Sequence, residues 1–325
     1  MFVVITIILF EVIIFVHEFG HFFVARFFKL SAKEFSIGFG PLIFKRKKNK
    51  MKYCFRAFPV GGFVDFYDED FLRLSVFKRA AIMLSGPLFN ILFGFLAVAL
   101  VLILQGKYNS LEVGFVKDNY SNVKIGDEIK MVNGKDVIVV NDFLYKLSSI
   151  DVNEPINLTV ERNKKKIEFF DVGKVVETKN GKKKVLGISL KSKKLNVITF
   201  FEQAYNNFLF ILKLIFKTFA KIFTGGFSID CFSGPIGLAS VVGKAEKQGL
   251  CSLIFLFAVI SVNVGIFNLL PLFALDGGQV LFLVYEAVFK RPISRSFQNI
   301  LNIFGLTFLT VIFIFVTLKD IFSLF

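Results

Sequence analysis

The sequence predicts a polytopic α-helical membrane protein of about four transmembrane helices, with a membrane-associated β-hairpin region and one inserted β-rich domain. Three observations lead there. Hydrophobic residues make up 54% of the 325 positions, too many for an ordinary soluble enzyme. Four apolar runs each approach the roughly 20 residues needed to cross a bilayer. Between the second and third lies a lysine-rich stretch, residues 107–195, that alternates at strand period.

The charge pattern narrows the class. A formal net charge of +15 on a soluble surface would suit nucleic acid. Here the basic residues lie in blocks beside apolar runs, a pattern that meets anionic lipid head groups and keeps loops in the cytoplasm. The expected partner is therefore the lipid bilayer, and nucleic acid is not. Cys54, Cys231 and Cys251 have an odd count and no zinc-type spacing, so no disulfide framework is expected.

Residues 1–28 form the first predicted span. They lack a basic leader and a small-residue cleavage site, which makes them a retained helix rather than a signal peptide. Inside this span lies His17-Glu18-Phe19-Gly20-His21, which holds both histidines of the chain. Four residues apart on a helix, His17 and His21 project from one face and can ligate one ion. Glu18, about 100° round the helix, can act as a base on water activated by that ion. An ionisable side chain in hydrocarbon costs about 2.5–3.5 kcal/mol, so three within five positions call for a metal, and the spacing names zinc. Glu11 shares the face of Glu18 and is expected near the outer interface.

Residues 29–79 carry Lys45-Arg46-Lys47-Lys48, which places this loop in the cytoplasm and the N-terminus outside. Segments 35–40 and 53–58 alternate at strand period and are broken by glycine and proline, as short strands would be. Next comes Phe58-Pro59-Val60-Gly61-Gly62-Phe63-Val64-Asp65. If the metal site hydrolyses peptide bonds in membrane segments, the substrate must be extended, because a helix hides every carbonyl in its own hydrogen bonds. An edge strand that includes Gly61, Gly62, Phe63 and Val64 could take up the freed bonds by strand addition.

Residues 80–104 are the second span, opening with Ser85-Gly86-Pro87-Leu88-Phe89-Asn90; Asn90 is a lone amide that needs a partner. In the β-rich domain, lysines 164–166 and 182–184 are expected at hairpin tips. Residues 196–245 begin with lysines 213, 217 and 221 four apart on one face, as in an amphipathic interfacial helix. The third span, within 250–276, leads to Asp276, a carboxylate placed after a helix-breaking proline and before Gly277-Gly278. It is the expected third ligand, with the two glycines letting the backbone approach the metal. Residues 298–318 are the fourth span, which puts both termini outside.

These motifs in this order resemble the site-2 protease family, most nearly its bacterial regulator-of-sigma-E protease type. They are His-Glu-Phe-Gly-His, Phe-Ser-Ile-Gly-Phe-Gly, Gly-Pro-x-x-Asn, Gly-Pro-Ile-Gly and Asn-Leu-Leu-Pro followed by Leu-Asp-Gly-Gly. The resemblance implies a zinc intramembrane endopeptidase of the bacterial inner membrane that cuts single-pass membrane proteins, anti-sigma factors or remnant signal peptides, in regulated intramembrane proteolysis. It implies zinc ligation by His17, His21 and Asp276, general-base catalysis by Glu18 and substrate positioning by Asn268. It also likens residues 107–195 to a PDZ-like domain, on the extracytoplasmic side, around Ile125-Gly126-Asp127-Glu128-Ile129. Three departures stand out: Phe273 replaces a second proline, Gln279 replaces a common histidine, and residues 119–124 shorten the peptide-binding loop. The last favours a steric filter over peptide capture. A non-catalytic scaffold or a transporter would leave the zinc motif without a purpose.

Overall fold

The computed structural model describes residues 2–48, 51–117, 122–178, 181–224 and 234–322, in two compact units, Met1–Ala97 with Lys217–Phe325, and Val98–Phe216. Cys231 lies outside the described residues; Cys54 and Cys251 are free thiols.

The first unit opens with helix α1 (Phe2–Phe27). An unbroken apolar sequence sustains it, and Lys29, at φ 62°, closes its end in the left-handed region. Strands β1 (Ala32–Lys48) and β2 (Met51–Phe66) follow. Short strands were expected; the structure instead has two long ones that double over. Residues 42–48 of β1 pair with 51–56 of β2, of which 52–55 pair on their other side with 34–37 of β1, and residues 32–37 also pair with 62–66 of β2. Four antiparallel segments result, with residues 62–66 on one edge. The bend in β1 falls at Gly38 and Gly40, with φ of 82° and 84°, values open to glycine and strained for other residues.

A short helix, α2 (Asp68–Arg73), leads into α3 (Val76–Gln105), which runs through Pro87 without a break. The chain re-enters this unit late in α5 (Val197–Phe223) and continues as α6 (Pro235–Gln248), α7 (Leu250–Asn268), α8 (Asp276–Phe289) and α9 (Arg295–Phe322). Gly234 and Pro235 start α6, with Pro235 in the first turn, where its missing N–H costs nothing. The third helix stops at Asn268, short of the expected reach to 276, and Asp276 opens a separate helix. Pro271 cannot continue α7. A side chain on Gly277 would lie 2.4 Å from the carbonyl oxygens of Leu269 and Leu270, and one on Gly278 2.2 Å from that of Leu272. The two glycines thus let α8 start against the broken segment.

Among the described residues, four helices, α1, α3, α7 and α9, are long and apolar enough to cross a membrane. Leu9 and Ile13 of α1 pack on Ile260 of α7, and Ala25 and Leu30 pack on Ile82 of α3.

The second unit is built on an antiparallel sheet. Its strands are β3 (Lys107–Val116), β4 (Glu128–Val132), β5 (Lys135–Asp136), β6 (Leu158–Arg162), β7 (Lys165–Phe169) and β10 (Ile188–Lys194), ordered β10-β3-β4-β6-β7 with β5 on β4. Helix α4 (Val140–Ser148) and a separate ribbon of β8 (Lys174–Thr178) and β9 (Gly181–Val185) complete it. Val113, Ile129, Leu158 and Val160 form its core. Asn133-Gly134 and Asn163-Lys164, all at positive φ, make the tight hairpin turns. Lysines 182–184 lie along β9 rather than at a tip.

Candidate metal centre

His17 and His21 stand one turn apart on α1, and Asp276 is the first residue of α8. One ligating atom from each lies within 4.8 Å of the other two. His17 Nε2 is 2.9 Å and His21 Nε2 3.5 Å from Asp276 Oδ2, and the two nitrogens are 3.2 Å apart. His21 Nδ1 donates to the carbonyl of Ile82 at 2.7 Å. A carbonyl only accepts, so Nδ1 carries the hydrogen and Nε2 presents its lone pair to the cluster. Asp276 Oδ2 is buried and, despite these approaches, has no hydrogen-bond partner.

The lone pairs of His21 Nε2 and Asp276 Oδ2 face each other and repel unless a proton or a cation lies between them. Helix α3 passes close to both rings. A side chain on Gly86 would lie 2.3 Å from His21 Nε2, 2.6 Å from its Cε1 and 2.8 Å from His17 Nε2, so only a bare glycine lets the two imidazoles pack against α3 in these positions. Two imidazoles, a carboxylate and an open approach suit a catalytic zinc ion with one free position. The bidentate pair of Arg79 in α3 with Glu286 in α8, at 2.5 and 3.1 Å, ties the helix that carries Asp276 to the helix that carries Gly86.

Glu18 sits beside the cluster, where its Oε2 accepts the backbone N–H of Val64 at 3.0 Å. Two turns earlier, Glu11 Oε1 accepts the N–H of Gly61 at 3.1 Å. This contact ties α1 to β2, since a carboxylate takes the backbone donor within its reach. Gly61 has φ 128°, and a side chain there would lie 2.0 Å from the Phe39 ring. Gly62 faces Glu18, with its absent Cβ 3.7 Å from Glu18 Cγ. Phe63 stacks with Phe39 and lies under the Arg56 guanidinium.

Of the residues the sequence singled out, His17, Glu18, His21, Asp276, Gly62 and Val64 meet at one place. The Asn268 amide donates through Nδ2 to Val264 O in its own helix. Gly86 and Glu11 were missed as site residues, and so was Asn90, whose amide reaches His17. The available signal was the spacing of Gly86 and Asn90, one turn apart on the same face of α3.

The model of peptidase family M50 matches residues 5–312. A zinc metalloprotease of Fusobacterium nucleatum is 32% identical over 99% of this chain and 98% of its own length. Similar proteins from Campylobacter jejuni and Clostridium acetobutylicum, also named zinc metalloproteases, are each 28% identical. They cover 97% and 98% of this chain, and 92% and 97% of their own lengths.

Proposed function

This chain belongs to peptidase family M50, the site-2 protease family, and is a zinc metalloprotease; we propose that it is an intramembrane endopeptidase that cuts membrane-spanning segments of single-pass proteins. The observation that carries this reading is the meeting of His17, His21 and Asp276 beside Gly86, with both histidines and the glycine on helices apolar enough to cross a bilayer. His17 Nε2, His21 Nε2 and Asp276 Oδ2 are the proposed ligands. Bound zinc supplies Lewis-acid chemistry, acidifying water and polarising a carbonyl.

The protein's own groups do the rest. Glu18 removes a proton from the attacking water and returns it to the leaving amine. Segment 61–66, held beside Glu18, pairs with an extended substrate and satisfies the backbone groups that leaving the helical state exposes. Asn268 is proposed to orient the substrate once its amide turns from Val264. Residues 107–195 are proposed as a PDZ-like size filter on the extracytoplasmic side of the bacterial inner membrane. The substrates are then anti-sigma factors or remnant signal peptides, and the process is regulated intramembrane proteolysis.

The test is cleavage of a truncated single-pass substrate by purified protein in detergent. Wild type should cleave. Glu18→Gln should keep zinc and lose at least about 100-fold in rate, and a chelator should abolish cleavage until zinc is restored. Wild-type cleavage by zinc-loaded Glu18→Gln would remove Glu18 from the mechanism.

A further inference from the structure

We propose that Asn90 is a positioning residue for His17: its side-chain carbonyl holds the hydrogen of Nδ1, which leaves the Nε2 lone pair free for a metal. The inference rests on His17 being a ligand, as proposed above.

Asn90 is fully buried, 0% exposed, and Ser261 of α7 fixes its backbone by donating to its carbonyl at 2.9 Å. Its amide meets His17 Nδ1 at 3.3 Å through Nδ2, while Oδ1 is buried with no partner. In that orientation the NH₂ group donates to Nδ1 and forces the ring hydrogen onto Nε2, where it would point into the cluster and block ligation. A half-turn of the amide exchanges two atoms of nearly equal size. Oδ1 then accepts from Nδ1–H, and Nε2 is bare.

The arrangement repeats one already present at the other histidine. His21 Nδ1 donates to Ile82 O, and Ile82 and Asn90 stand four residues before and four after Gly86. One face of α3 thus supplies an oxygen behind each imidazole and a bare glycine against which both rings pack. Such acceptors fix the tautomer and ring angle of metal-ligating histidines.

Zinc affinity of the full-length protein in detergent, measured by competition with a chromogenic chelator, tests this. Asn90→Leu, similar in size but without an acceptor, should bind zinc about 10–100-fold more weakly. Asn90→Asp keeps the acceptor and should stay within about threefold of wild type. Because the chain has two histidines, ¹⁵N-histidine spectra of the zinc-loaded wild type report the tautomer directly, with Nδ1–H expected on His17 even if a variant fails to fold. Nε2–H on His17, wild-type affinity in Asn90→Leu, or equal loss in both variants would overturn the proposal. A wild type that binds no zinc would overturn the ligand reading beneath it.

Discussion

At the scale of single residues, the centre depends on an absence as much as on its ligands. Gly86→Ala drives a methyl group into the edges of both imidazoles, while alanine is the best helix former. Zinc per purified chain should fall at least about tenfold with helix content unchanged; retention of zinc and activity would show that the bare glycine is not needed to hold the two rings in place. His17 and His21 were legible because helical spacing puts them together whatever else the chain does. Asp276 was legible from an isolated carboxylate beside a proline. Gly86 and Asn90 were not, because their meaning lies in contacts across more than 60 residues, and a glycine in a membrane helix reads equally well as close packing. Asn268 shows the converse: its motif named a role, yet its amide bonds within its own helix.

At the scale of elements, two carboxylates of α1 hold one strand. Glu11 and Glu18 accept from Gly61 and Val64, so segment 61–66 is fixed against the proposed active site. The N–H of Val64 is also one that an arriving substrate carbonyl could take, which would release Glu18 for catalysis. Glu11→Ala should loosen the strand and raise KM for a membrane substrate about tenfold, the cost of one lost charge-assisted hydrogen bond, with zinc content unchanged. Glu11→Gln keeps an acceptor and should recover most of the loss. Steady-state kinetics distinguish these outcomes, and an unchanged KM in Glu11→Ala would leave the contact without a role in binding. The doubling of β1 and β2 could not be read from alternation, which identifies strands but not where two glycines fold one back. Helix α8 was hidden for a related reason, since Phe273 and Gln279 look like departures from a pattern until they are seen at work. The Phe273 ring stacks on Phe282 at 5.7 Å, and Gln279 Nε2 bonds both Phe273 O and Asn302 Oδ1.

At the scale of the whole molecule, the change in composition at residue 107 marks the start of the sheet, whereas the second compact unit runs from Val98 to Phe216 and takes in the end of α3 and most of α5, which composition could not reveal. The second unit has a buried pair of its own. Asp127 is 1% exposed, accepts two hydrogen bonds from Arg162 at 2.7 Å each, and accepts the N–H of Lys124. Burial pushes its carboxyl up, but Arg162 and the Lys124 N–H outweigh that and leave it below the ordinary carboxylate value. A lowered folded pKa gives stability that is present above the unfolded value of about 4 and is lost as pH falls through the folded one. Thermal unfolding followed on acidification should therefore show a decline that Asp127→Asn flattens, along with lower stability at neutral pH. A variant as acid-sensitive as wild type would place the titration elsewhere.

The proposed ligands also come from the two ends of the chain, with roughly 250 residues between His21 and Asp276. At about 5–20 residues per second, the ribosome has made both histidines and the base tens of seconds before it reaches the carboxylate. With Asp276 as the third ligand, the centre is incomplete until that residue is made, and any product cut short before it lacks a ligand.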